Sequence, residues 1–122
     1  MSLVARHLEE NGIPTVVIGS ARDIVEECGV ARFLFSDFPL GNPCGVPYDR
    51  EMQRDIVGFA LDLLEGASLP RTTVQTPRMW SEDTSWKENY ARVEPEHAEA
   101  LRLAGEARRA AQAKAQARGE SA

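Results

Sequence analysis

The chain has 122 residues, with 14 Lys and Arg against 19 Asp and Glu and a formal net charge of −5. That length fits one domain at most, and the acidic balance excludes a dedicated nucleic-acid binder, which must neutralise phosphates. No window approaches the run of about 18 apolar residues that a membrane span needs.

The opening stretch from Met1 to Glu10 is amphipathic and charged, which is not the pattern of a signal peptide. Two cysteines, Cys28 and Cys44, are too few for a disulfide framework and lack metal-ligand spacing. A reduced cytoplasmic protein is expected, with neither a metal nor a cofactor. From Glu96 onward the chain is mostly Ala, Glu, Gln, Arg and Lys. The expected division is therefore an α/β domain over residues 1–93 and a helical tail over 94–122.

Taken in chain order, Leu3 to Asn11 reads as a helix with Val4 and Leu8 on one face, stopped by Asn11-Gly12. Ile13 to Ile18 is a β-branched run, the pattern of a strand buried on both faces, with Pro14 at its entrance. Gly19-Ser20 turns the chain into a helix from Ala21 to Cys28. Ser20 and Asp23 have the spacing of a capping box, and Gly29 ends the helix. Arg32 to Phe35 is a second strand, so the order implies a right-handed crossover between parallel neighbours.

A loop dense in Pro and Gly, Phe38 to Tyr48, follows. Asp49 then caps a helix from Arg50 to Leu64 whose apolar stripe is Met52, Ile56, Phe59, Ala60, Leu63 and Leu64. Thr72 to Thr76 reads as a polar edge strand. Trp80, Trp86 and Tyr90 stand among polar residues without a period and suit interface anchors, lids or core filling. Glu94-Pro95 opens the tail helix, either solvated or packed along a partner.

The pattern predicts an α/β fold, a partial Rossmann-like parallel sheet with flanking helices. Only two strands are convincing, and a sheet that small needs cover for its faces and edges. A partner chain is expected to complete it.

Ligands in open parallel sheets bind beyond the carboxyl ends of the strands, which points to Gly19-Ser20 and Ser36-Asp37. Gly19 and Ser20 either offer helix-start amides to a carboxylate or simply make the turn and cap. Pro39, Leu40, Gly41, Asn42 and Pro43 form a loop of few conformers, suited to holding a carboxylate with fixed donors or to connecting strand and helix. Cys44 is a candidate thiol nucleophile or a small packing residue. Asp37 is a candidate acid/base or anchoring carboxylate, or a turn cap.

Gly12-Ile13-Pro14-Thr15-Val16-Val17, followed by Phe38-Pro39-Leu40-Gly41-Asn42-Pro43, resembles the C-terminal part of the B-type subunit of the glycine, sarcosine, betaine and D-proline reductases. The resemblance covers roughly residues 3 to 65. It implies a redox-thiol reductase that cleaves a C–N bond beside a carboxylate. The family's Cys or selenocysteine motif would lie upstream of Leu3, and neither Cys28 nor Cys44 stands in its place. The family's nucleophile therefore carries over to no residue here, while Pro39 to Pro43 carries over as a wall of the site.

The expectation is a small subunit, inactive alone, of a thiol-dependent enzyme acting on a small carboxylate-bearing amine. A larger partner subunit would supply the reactive Cys or selenocysteine. The alternatives are a scaffolding or regulatory subunit and a subunit of a thiol-dependent lyase or desulfurase.

Overall fold

The structure, a computed structural model, describes residues 1–89 and 92–119, with side chains as far as residue 116. It divides into two compact units, Met1–Lys87 and Glu88–Ala122. The first contains α1 (Ser2–Glu10), β1 (Val17–Gly19), α2 (Arg22–Cys28), β2 (Arg32–Phe35), α3 (Arg50–Gly66) and β3 (Thr72–Gln75). A single turn, α4 (Trp86–Asn89), follows, and α5 (Pro95–Gly119) makes up most of the second unit.

The three strands form one parallel sheet in the order β1-β2-β3. The polar Thr72 run is the edge strand expected there, and it adds a third strand to the two convincing ones. On central β2, Phe33 and Leu34 point to opposite faces and both are wholly buried. Phe33 packs with Val17 of β1, Val25 of α2 and Ala5 of α1. Leu34 packs with Met52, Ile56, Ala60 and Leu63, which are four of the six residues in the expected α3 stripe. Phe59 joins the same cluster half-buried.

Each connection between neighbouring strands supplies the cover for one face. The steps from β1 to β2 and from β2 to β3 run in the same direction across the sheet, yet α2 and α3 lie on opposite faces. Two such connections have opposite hands. The right-handed crossover expected of parallel neighbours therefore holds for one and fails for the other. Two adjacent buried residues on β2 demand two covered faces: α1 and α2 cover Phe33, and α3 covers Leu34.

β1 begins at Val17, four residues later than the hydrophobic run predicts. Ile13 is 51% exposed, and Pro14 has no N–H for a ladder. Thr15 is held by side chains instead. Its N–H and hydroxyl donate to Glu9 Oε1 at 2.5 and 2.9 Å, and its carbonyl accepts from Arg32 Nη1 at 3.4 Å. Arg32 Nη1 also donates to Glu9 Oε1 at 2.9 Å. With both backbone groups of Thr15 engaged, pairing with β2 starts only two residues later.

Burial tends to raise the Glu9 pKa, but the Thr15 hydrogen bonds and the Arg32 charge outweigh it, and the net shift is downward. A depressed carboxylate stabilises the fold above its ordinary value and loses that contribution as pH falls through the folded value. Glu9→Gln is expected to cost about 1–2 kcal/mol at pH 7 and much less at pH 3. Urea midpoints at the two pH values test this; an equal loss at both would remove the charge from the account.

The ends of the helices follow local chemistry. Asp49 accepts from the Met52 N–H at 3.0 Å, the expected N-cap of α3. Gly29 closes α2 at φ +72°, and two arginines serve that helix's last carbonyls. Arg6 donates to Cys28 O at 3.3 Å and Arg71 to Glu26 O at 3.1 Å. α3 runs two residues past the expected Leu64, with Gly66 as its last residue and Ala67 as its C-cap. In α5, Glu99, Arg102 and Glu106 form an ion-paired row, and Leu101 and Leu103 are exposed. No helix among the described residues is long and apolar enough to cross a membrane.

Candidate functional site

The carboxyl ends of the three strands lie side by side. Gly19, Phe35 and Gln75 are in register, and the ladder continues one step further. The Ser36 N–H donates to Gly19 O and the Thr76 N–H to Phe35 O, both at 2.9 Å. The next residue of each strand therefore carries a hydroxyl: Ser20, Ser36 and Thr76. Thr76 Oγ1 accepts from the Arg78 N–H at 3.4 Å. The hydroxyls of Ser20 and Ser36 are buried and have no hydrogen-bond partner among the described residues.

This placement corrects the capping box expected at Ser20. Ala21 holds the N-cap position of α2, its carbonyl accepts from the Val25 N–H at 3.1 Å, and no side chain caps the helix. Ser20 still belongs to the strand-end row, one residue too early to reach the helix amides. For Ser36, a buried hydroxyl without a bond carries a desolvation cost and no return. Ser36→Ala is expected to leave stability unchanged or raise it by up to about 1 kcal/mol. A denaturation midpoint that drops instead would reveal a bonded hydroxyl.

Downstream of β2 the loop is a run of turns, each readable from its residues. The Asn42 N–H donates to Pro39 O at 3.1 Å, with Gly41 at φ +93° in the third position. The Gly45 N–H donates to Asn42 O at 3.2 Å, with Pro43 in the second. The Asp49 N–H donates to Val46 O at 3.1 Å, with Pro47 second and Tyr48 third at φ +67°. The loop is tied to the start of α3, where Met52 Sδ accepts from the Val46 N–H and Gln53 Nε2 donates to Val46 O.

The candidate residues of this loop are thus rigidly placed, but one of the amides expected to bind a carboxylate, that of Asn42, already closes a turn. Leu40, Gly41 and Cys44 are exposed, while Pro39, Asn42 and Pro43 are half-buried. None of the five from Pro39 to Pro43, and neither Cys44, Gly19 nor Ser20, lines the two larger cavities beside β3.

Asp37 does line one of them. This cavity, about 310 Å³, lies beyond the end of β3 and is walled by Gln75, Thr76, Arg78, Trp80, Trp86 and Lys87, among others. Its far wall is folded back by a short turn motif. The Asp83 N–H donates to Ser81 Oγ, the Ser85 N–H and hydroxyl donate to the Asp83 carboxylate, and the Lys87 N–H donates to Thr84 O. The Ser85 backbone and side-chain bonds lower the Asp83 pKa.

Lys87 then pairs with Asp37 across the cavity. Trp80 packs tilted on buried Phe38 with ring centroids 5.8 Å apart, so the loop, the cavity and the core share a wall. Arg78 turns away to Asp55 and Glu51 of α3. Tyr90, grouped with the tryptophans in the sequence, lies outside the described residues.

No family model matches the chain, and no solved structure matches it. Among curated proteins, the D-proline reductase subunit gamma of Acetoanaerobium sticklandii is 37% identical over 62 residues. That partial similarity supports a relation to the reductase family over the matched stretch. The similar stretch covers 51% of this chain and 26% of that subunit, so the chain spans about a quarter of the length of the relative it matches.

The cavity beside Asp37 went unnoticed in the sequence because its two charged walls stand 50 residues apart. The available signal was the Ser81, Asp83, Ser85 alternation, which marks a compact turn and would have brought Trp86 and Lys87 back toward the sheet. Among the described residues, no group of three His, Cys, Asp or Glu is placed to hold a metal ion.

Proposed function

We propose that the chain is the smaller subunit of a hetero-oligomeric, thiol-dependent reductase of the glycine, sarcosine, betaine and D-proline reductase kind. It acts on a small carboxylate-bearing amine and provides a wall of the site. The observation that carries this reading is the 62-residue similarity to D-proline reductase subunit gamma. The open sheet supports it. Among the described residues β3 pairs on one side only, and a largely apolar groove of about 450 Å³ runs along it, lined by Leu34, Phe59, Leu63, Leu69 and Val74, among others. A partner's elements would cover that groove.

The chemistry belongs to a thiolate on the partner. Its sulfur (or selenium) attacks the substrate α-carbon, forming C–S as C–N breaks, and the nitrogen leaves with the electron pair and takes up a proton. A second thiol then attacks that sulfur, giving a disulfide and leaving an electron pair on carbon to be protonated. An external dithiol restores the two thiols. In this scheme the Pro39 to Pro43 loop, with Gly19 and Ser20, borders the substrate carboxylate, and Cys44 and Asp37 are the nearby groups able to exchange protons.

A second reading, a non-catalytic scaffolding subunit, is favoured by one feature: the Asn42 and Gly45 amides are already bonded within the loop. Co-purification of the native assembly, followed by a dithiol-dependent assay for reductive ring opening of D-proline, read as the appearance of a primary amine, decides between them. Asn42→Ala and Cys44→Ser in the intact assembly should lower turnover if the loop borders the site. Unchanged kinetics in both favours the scaffold. A chain that purifies from its native source without a partner defeats both.

A further inference from the structure

We infer that the outer edge of β3 takes up an extended segment of the partner subunit as a fourth strand of the sheet. That segment carries large apolar side chains at alternate positions toward α3, and a Lys or Arg beside Asp62. The inference rests on the reductase reading for the existence of the partner, while the kind of element comes from the edge itself.

The backbone decides that the element is a strand. The Thr72 N–H donates to Ala31 O at 3.0 Å and the Thr76 N–H to Phe35 O at 2.9 Å. Alternate residues of a strand bond to opposite sides, so Thr72, Val74 and Thr76 turn their backbone groups toward β2. Thr73 and Gln75 turn theirs outward, where no strand pairs among the described residues. A helix laid there would shut these groups away from water unbonded, at a desolvation cost with no return; a strand bonds them. The edge also lacks the charges and prolines that usually keep strands apart, since Thr72 to Thr76 holds neither. Pairing is confined to that stretch by Arg71, at φ +55°, and by Pro77, which has no N–H.

The two faces beside the edge decide what the strand carries. Val74 stands on the α3 side, in the groove of about 450 Å³ with Phe59, Leu63 and Leu69. Thr73 stands on the other side, in a hollow of about 140 Å³ with Glu26, Val30 and Arg71. Side chains alternate across a strand, so the incoming one is apolar toward the groove and small or polar toward the hollow. Asp62 lines the groove, is exposed and has no ion pair among the described residues. Its counter-charge comes with the incoming strand. A second copy of this chain meets neither need. Its β3 brings a single valine to the groove face and no cation, and the flanking Arg71 and Arg78 are bonded to Glu26 O and Asp55 of their own copy.

Hydrogen exchange read amide by amide tests this, on the full chain alone and on the native assembly purified through a tag on this chain. In the chain alone, Thr73 and Gln75 should exchange fast beside slow Val74 and Thr76. In the assembly both should slow by about 100-fold. Thr73→Pro removes an outward N–H and leaves the ladder with β2 intact, and it should weaken retention of the partner by about tenfold or more. Thr73→Ala keeps the N–H and should retain the partner as the parent chain does. Asp62→Lys should weaken retention by about tenfold, because it sets like charges against each other.

Unchanged exchange at Thr73 and Gln75 in the assembly, or equal retention by Thr73→Pro and Thr73→Ala, overturns the strand. If the assembly opens the D-proline ring while both amides stay unprotected, the strand falls alone. If both amides are protected by a partner but the ring is not opened, the reductase reading falls and the strand stands. A chain recovered alone, or only with copies of itself, overturns both.

Discussion

Replacing Ile56 with Ala is expected to remove about 2–5 kcal/mol of stability, the range for truncating a wholly buried branched side chain. Ile56 is 0% exposed and sits where Leu34, Met52, Ala60 and Leu63 converge on one face of the sheet. The first unit, Met1–Lys87, is small. At 0.05–0.15 kcal/mol per residue it holds on the order of 4–13 kcal/mol, so the loss is a large share of the total. Val57, next in the helix, is 45% exposed, and Val57→Ala should change stability by less than about 0.5 kcal/mol. Urea melts of the pair test the helix phase. Similar losses at both positions would mean that α3 does not bury the face assigned to it.

That helix was legible in its start and its buried face, and the reason is physical. Its apolar period and its Asp49 cap are local features that agree, while its end runs through Gly66 to Ala67, past the expected Leu64. β2 was legible for the same reason, from Arg32 to Phe35. β1 was legible in kind and misjudged in length, because hydrophobic β-branched residues mark the capacity to pair and not the partner. Glu9 and Arg32 reach Thr15 from elsewhere and claim its backbone first.

The polar Thr72 run was legible only as an edge strand, and its parallel pairing with β2 depends on where α3 delivers the chain. The site divides in the same way. The turns from Pro39 to Asp49 follow from the placing of Pro, Gly and Asn. The Asp37–Lys87 pair spans 50 residues and follows from nothing local.

Gly45→Ala should be the most damaging single change in the loop, at about 2–5 kcal/mol, because two costs act together. Gly45 has φ +111°, a backbone state open to glycine and strained by about 1–3 kcal/mol for other residues. An added Cβ would also stand 2.9 Å from Met52 Sδ and 3.3 Å from Ile56 Cδ1. Overpacking of that kind costs roughly 1–3 kcal/mol, and pushing the sulfur aside breaks its bond from the Val46 N–H. Gly41 separates the two effects. It has φ +93°, yet a Cβ there would meet nothing within 4 Å, so Gly41→Ala should show the backbone cost alone, about 1–3 kcal/mol. The difference between the two variants in a denaturation series therefore measures how tightly the loop is seated on α3. A difference near zero would mean that the loop is not docked there, and that its turns hold no fixed position beside the strand ends.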